Sequence, residues 1–178
     1  MMNNDFVDKL AEYIRGLEYS GNEEDSAPFT ISWQKDEDGY IAVGTGSDGK
    51  PFVVGVTSKR LLSRLDRPVE SFVFHVDATF KVAQVEYPVL VYGIYDRCCS
   101  FHLVALFVTS QRLETQYTYM LNSLRFVYFR VMQKALKVYY VMGDAKEAQS
   151  NAIQSALGSD KVLKILTCYY HVVANVMN

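Results

Sequence analysis

Three apolar runs of β character, at 71–83, 88–95 and 101–109, follow one another with only short links, and then the periodicity of the chain changes. The first contains Phe72-Val73-Phe74-His75-Val76-Asp77-Ala78-Thr79-Phe80, and the second Val89-Leu90-Val91-Tyr92-Gly93-Ile94-Tyr95. β-Branched and aromatic side chains in runs of this length suit a pleated, half-buried surface. Links this short join antiparallel neighbours, so the three runs predict a meander. From 113 to about 137 the apolar residues step by three and four, through Leu113, Tyr117, Met120, Leu121, Leu124, Val127, Tyr128, Val131 and Ala135. That spacing is one face of a long helix. A fourth strand is expected at 138–142, a helix at 145–157 ending at Gly158, and a fifth strand at 162–166, with a further helix from 169. Helical crossovers after the third and fourth strands require parallel pairing there. The expected architecture is an α/β fold with a mixed sheet, in the order β-β-β-α-β-α-β.

The first third reads differently. Residues 5–17 have helical spacing, 19–28 form a polar linker, and strands are expected at 29–33, 40–45 and 52–56. Glu37-Asp38-Gly39 and Ser47-Asp48-Gly49-Lys50 supply the turns. Ser58 suits the cap of a short helix over 59–65, which Arg67-Pro68 ends. We therefore expect a region 1–57 of helix, linker and β-hairpin, and a main body at 58–178. Residues 1–50 hold 11 acidic and 4 basic side chains, net −7, whereas 51–178 hold 9 and 14, net +5. The mildly basic body suits a phosphate backbone and the acidic segment repels one, although an ordinary solvated surface explains the same charges. Three cysteines, two of them adjacent, make no disulfide framework and suit a reducing compartment. The start, Met1-Met2-Asn3-Asn4-Asp5, is polar and acidic rather than a signal peptide. No run of roughly 18 apolar residues is present to span a membrane. An intracellular, non-membrane protein is expected.

Two aspartates stand out in this pattern. Asp77 lies on the first strand of the meander, and Asp144 follows Val138-Tyr139-Tyr140-Val141-Met142-Gly143. A carboxylate on a buried strand is costly to desolvate without a partner. The expected element order is that of the ribonuclease H-like fold, in which the first and fourth strands are neighbours, so Asp77 would face Asp144. Paired carboxylates can hold divalent cations roughly 3.5–4 Å apart for phosphoryl transfer. Oxygen ligands suit Mg2+ or Mn2+. Strand alternation puts His75, Asp77 and Thr79 on one face. The competing reading makes both aspartates strand-end residues, with Asp144 capping the next helix. Cys168-Tyr169-Tyr170-His171 has one spacing typical of zinc ligands but shows two ligands only. Cys98, Cys99 and His102 lie in a hairpin that should project from the opposite region, so a zinc site is not expected. A thiol nucleophile at Cys168 lacks an evident base. Lys59, Arg60, Arg64 and Arg67 form a basic cluster that either meets phosphates or faces solvent. Walker, dinucleotide-glycine and Gly-x-Ser-x-Gly motifs are absent from the sequence.

Five short motifs occur in order: His75-Val76-Asp77-Ala78-Thr79-Phe80-Lys81, Tyr87-Pro88-Val89, Gly93-Ile94-Tyr95-Asp96, Met142-Gly143-Asp144-Ala145 and Cys168-Tyr169-Tyr170-His171. Together they resemble the MULE (Mutator-like element) transposase domain, over about residues 58–178. The resemblance implies the ribonuclease H-like core of a DDE nuclease and strand transferase. It implies Asp77 as the first acid, Asp144 as the second, and Cys168 and His171 as a motif near the active site, with His171 counted among the catalytic residues. It also implies Mg2+ or Mn2+ held by Asp77 and Asp144, transposon-end DNA as partner, association with itself or an intact transposase, and a nuclear location in a eukaryote. The family's third acid is a Glu reached after a further helical segment. Here the acids after Asp144 are Glu147 and Asp160, both before Cys168, and neither matches that Glu. The expectation is thus a catalytic core truncated at its C-terminal end and inactive alone, or else a non-catalytic, transposase-derived module that binds DNA or protein.

Overall fold

The computed structural model describes residues 4–32, 34–79, 87–144, 146–158 and 162–168. Among them the strands are β1 Phe29–Ile31, β2 Val53–Thr57, β3 Phe72–Thr79, β4 Val89–Asp96, β5 Phe101–Thr109, β6 Tyr140–Gly143 and β7 Lys164–Thr167. The α-helices are α1 Asn4–Gly16, α2 Lys59–Leu62, α3 Glu114–Met132 and α4 Glu147–Leu157. All seven strands join one mixed sheet in the order β1-β2-β5-β4-β3-β6-β7. The pairs from β1 to β3 are antiparallel, and β3–β6 and β6–β7 are parallel. From β3 onward the chain follows the expected β-β-β-α-β-α-β order. The two upstream strands extend the same sheet at its β5 edge.

The core lies on one face of this sheet. Phe72, Phe74 and Val76 of β3 line up there with Leu90, Tyr92 and Ile94 of β4, all 3% exposed or less. Tyr117, Met120, Leu121 and Leu124 of α3 cover them, and Ala152, Ile153 and Ala156 of α4 complete the layer. Each fully buried large apolar side chain contributes about 1.5–3 kcal/mol relative to exposure, which is why the helices dock by these stripes. On the opposite face of β3, His75 meets Tyr95 and Phe101 edge-on, with ring centroids 5.4 and 6.4 Å away. A smaller cluster of Ile14, Ile41, Phe52 and Val54 fastens the upstream region.

Local chemistry sets the element ends. Ser58 caps α2 by accepting the Leu61 N–H at 3.2 Å, and the chain then tightens into a 3-10 turn over Ser63–Leu65. α3 stops at Met132, earlier than its apolar stripe suggests, because Gln133 adopts a left-handed φ of 56° and donates its N–H to the Phe129 carbonyl. The strand expected at 40–45 is not formed: Ile41 makes one isolated bridge with Lys35, and the segment then folds back toward Lys50 and Pro51. Gly44 permits that approach, since a Cβ there would lie 1.8 Å from the Pro51 carbonyl oxygen. The continuation of β3 to residue 83 and the helix expected from 169 lie outside the described residues. No helix among the described residues is long and apolar enough to cross a membrane.

Candidate active site

β3 and β6 are parallel neighbours in which Val73 faces Tyr140, Phe74 faces Val141 and His75 faces Met142. Asp77 and Asp144 each lie two residues further along. Asp77 is still on β3 and Asp144 is the first residue past β6, so the alternation of the two strands, carried two residues on, leads both acids toward the same face. β7 continues the row. Gly143 faces Thr167, and the Cys168 N–H donates to the Gly143 carbonyl at 3.1 Å, which places Cys168 beside Asp144. Three of the four sequence-derived site residues thus share the carboxyl end of three parallel strands. The fourth, His171, lies outside the described residues. α3 and α4 both begin at this end of the sheet, where helix N-termini favour negative charge.

The two carboxylates have different surroundings. Asp77 Oδ1 accepts the N–H of Ala78 at 2.9 Å. The Asp144 side chain is 12% exposed, and its Oδ2 lies 3.5 Å from Lys146 Nζ. Asp144 does not cap α4: the N-cap position falls to Lys146, without a side-chain cap bond. Its backbone N–H instead donates to Gln149 Oε1 at 2.5 Å. Gln149 Nε2 reaches across to the Val76 carbonyl at 3.4 Å, and the residue is completely buried. Burial pushes the Tyr117 hydroxyl pKa up; Arg112 pulls it down, and Asp144 and Asp77 push it further up. The tyrosine, the arginine and both acids therefore share one electrostatic neighbourhood, and Arg112 Nη1 is itself buried.

Gln149, Tyr117 and Arg112 were not singled out as site residues from sequence. Gln149 carried a signal: with Ala152, Ile153, Ala156 and Leu157 it forms the buried stripe of α4, so it is a polar residue at an apolar position. Tyr117 looked like an ordinary member of the α3 stripe. Arg112 sits between β5 and α3 with no pattern to mark it.

Asp77 and Asp144 offer carboxylate oxygens, the donor type that hard divalent cations take. Among the described residues no three His, Cys, Asp or Glu side chains cluster as a metal site. Cys98, Cys99 and His102 are away from the two acids. His102 is level with Phe74, about 10 Å back along the sheet from Asp77 at roughly 3.3 Å per residue and two strands aside, and Cys98 and Cys99 lie further back, past Asp96 in the β4–β5 turn. They cannot share an ion with Cys168. The basic cluster is also at that far end. Lys59 Nζ donates to the carbonyls of Gly21 and Glu23 at 2.9 and 2.7 Å, and Arg64 donates to the Leu103 carbonyl at 2.7 Å. Half of the cluster thus ties down backbone, while Arg60 and Arg67 are exposed. A cavity of about 450 Å³ opens near the start of α3, lined by Arg15, Asp36, Lys50, Thr115, Gln116 and Tyr119 but by neither acid.

A search among curated proteins returned no match. The MULE transposase domain matches residues 73–175, from the start of β3 past Asp77, Asp144 and Cys168 and over more than half of the sequence. The chain belongs to the MULE transposase domain family.

Proposed function

We propose that the protein is the catalytic-core segment of a Mutator-like transposase with a ribonuclease H-like fold, in which Asp77 and Asp144 hold Mg2+ or Mn2+. The observation that supports this reading is the parallel pairing of β3 with β6, which makes neighbours of the segments that carry Asp77 and Asp144. The bound ion supplies polarisation of a phosphoryl oxygen and activation of the attacking hydroxyl or water in DNA cleavage and strand transfer. The chain's own residues prepare the place. Asp77 and Asp144 bind through carboxylate oxygen. Lys146 partly neutralises Asp144 in a half-exposed pair worth about 0–1 kcal/mol, a contact that would give way at little cost if a divalent ion were bound. Arg112 and the buried surroundings at Tyr117 keep local charge interactions strong. Cys168 starts its motif beside Asp144, and we assign His171, the last residue of that motif in the sequence, a catalytic role. DNA is the proposed partner, and the nucleus the proposed location in a eukaryotic cell.

Two carboxylates leave coordination positions for other ligands, and Glu147 and Asp160 both precede Cys168. The 178-residue protein should therefore bind Mn2+ without cutting DNA. Calorimetric titration should show Mn2+ binding in the wild type and its loss in Asp77→Asn and Asp144→Asn, both still folded by circular dichroism. A wild type that binds no Mn2+ would remove the metal reading. Metal-dependent nicking of supercoiled plasmid that vanishes in Asp77→Asn would show instead that the two acids suffice for cleavage. DNA binding that needs no metal and ignores Asp144→Asn would identify the non-catalytic module.

A further inference from the structure

We propose that Gln149 is a positioning residue that holds the ends of β3 and β6 at a fixed separation and so sets the gap between Asp77 and Asp144. This rests on reading the two acids as a metal pair.

The register of β3 with β6 runs as far as His75 and Met142. One residue past β6 the partner of the backbone is a side chain. The Asp144 N–H donates to Gln149 Oε1, and Gln149 Nε2 donates to the carbonyl of Val76. A carboxamide carries an acceptor and a donor in the same order as a peptide group. It therefore stands between the two strands as a fragment of an extra strand would, and their ends splay around it. Val76 is the residue before Asp77, and Asp144 is bonded directly. One buried side chain thus pins the backbone at both acids.

Two further features show that the position is made for a carboxamide. The other stripe positions of α4 are Ala152, Ile153, Ala156 and Leu157, so a leucine would satisfy the packing at 149 and avoid burying polar atoms. Gly143 is matched to it as well: a Cβ there would lie 2.5 Å from Gln149 Oε1 and 3.1 Å from its Cδ. The glycine at the end of β6 makes room for the amide. A buried polar link with both ends satisfied is rigid, which suits a residue that fixes a distance.

The test uses Gln149→Leu, which keeps the bulk and removes both bonds, and Gly143→Ala, which keeps the glutamine and displaces its amide. Amide exchange of the metal-free protein is followed by NMR, and Mn2+ binding by calorimetry. The Asp144 amide should exchange about tenfold faster in each variant, with Val141 in the middle of β6 unchanged. Mn2+ binding should weaken about tenfold or more, the scale seen when outer groups that orient metal ligands are lost. Unchanged Asp144 exchange in both variants would overturn the link. Faster exchange with unaltered Mn2+ affinity would overturn its positioning role. A wild type that binds no Mn2+ would remove the acid-pair reading instead, and the exchange measurement would then decide the link alone.

Discussion

Asp96 and Asp144 both stand at strand ends, at opposite ends of the sheet, and their partners come from different distances along the chain. Asp96 Oδ1 accepts the N–H groups of Cys98 and Ser100, each at 2.9 Å, and Oδ2 accepts from His102 Nε2 at 2.8 Å. All three donors lie within six residues, inside the hairpin that the carboxylate closes. Asp144 has Lys146 close by, but its N–H is held by α4, its row is completed by β3 and β7, and it shares a field with Arg112 and Tyr117. A carboxylate completed by its own turn is a structural device, because the local backbone already satisfies it. One completed by several elements depends on the whole fold, and in this chain that is where the chemistry is proposed. The amino end of β3 is consequently self-sufficient, and the carboxyl end is assembled.

The largest expected effect strikes both ends together. Phe74 is completely buried at the middle of β3, with its ring edge-on to Tyr92 at 5.8 Å. Phe74→Ala should cost about 3–5 kcal/mol in urea denaturation, with one cooperative transition seen by every probe. A hairpin signal that outlasts the rest would show that the amino end folds as a separate unit. Gly143→Ala should break the symmetry. It presses on the Gln149 amide and on nothing at the hairpin, and should cost about 1–3 kcal/mol from overpacking and lost hydrogen bonds. Hydrogen exchange should rise at Asp144 and stay slow at His102; comparable losses at both would mean that the ends are coupled through the sheet.

How far the sequence foretold each end follows from the same difference. The β4–β5 turn, the Ser58 cap and the alternation along β3 are local, and their residue types carry the geometry within a few positions. The neighbouring of β3 and β6, which carry or precede Asp77 and Asp144, was reachable because element order constrains which strands are neighbours, and order can be read from periodicity. Gln149 was not found, since its meaning lies in where α4 docks, although its place on an otherwise apolar stripe marked it. Arg112 had no local mark at all. The segment at 40–45 misled for a complementary reason: its composition favours a strand, but Gly44 and Gly46 let it turn onto Pro51 before a strand can pair. The early end of α3 likewise depends on one left-handed residue, Gln133, inside a stripe that reads as continuous.

The smallest effect isolates the amino end. The His102 hydrogen bond to Asp96, aided by the backbone N–H of Ser100 and Cys98, holds the Asp96 carboxyl below its ordinary value of 3.8. A carboxylate with a depressed folded pKa stabilises the fold above its unfolded value, and that contribution is lost as pH falls through the folded value. Acid should therefore weaken the wild type below about pH 4 by one interaction that Asp96→Asn no longer has. The asparagine oxygen can still accept from Cys98 and Ser100, so the turn should persist while the charge is gone. Every other carboxylate is common to both proteins, so the change in the difference between their stability curves below about pH 4 reports on Asp96. Over that range the difference should shrink toward lower pH. A difference that stays level throughout would mean that the fold does not favour the ionised form of Asp96, and that the hairpin is held by its backbone bonds and by the Tyr95–Phe101 ring contact alone.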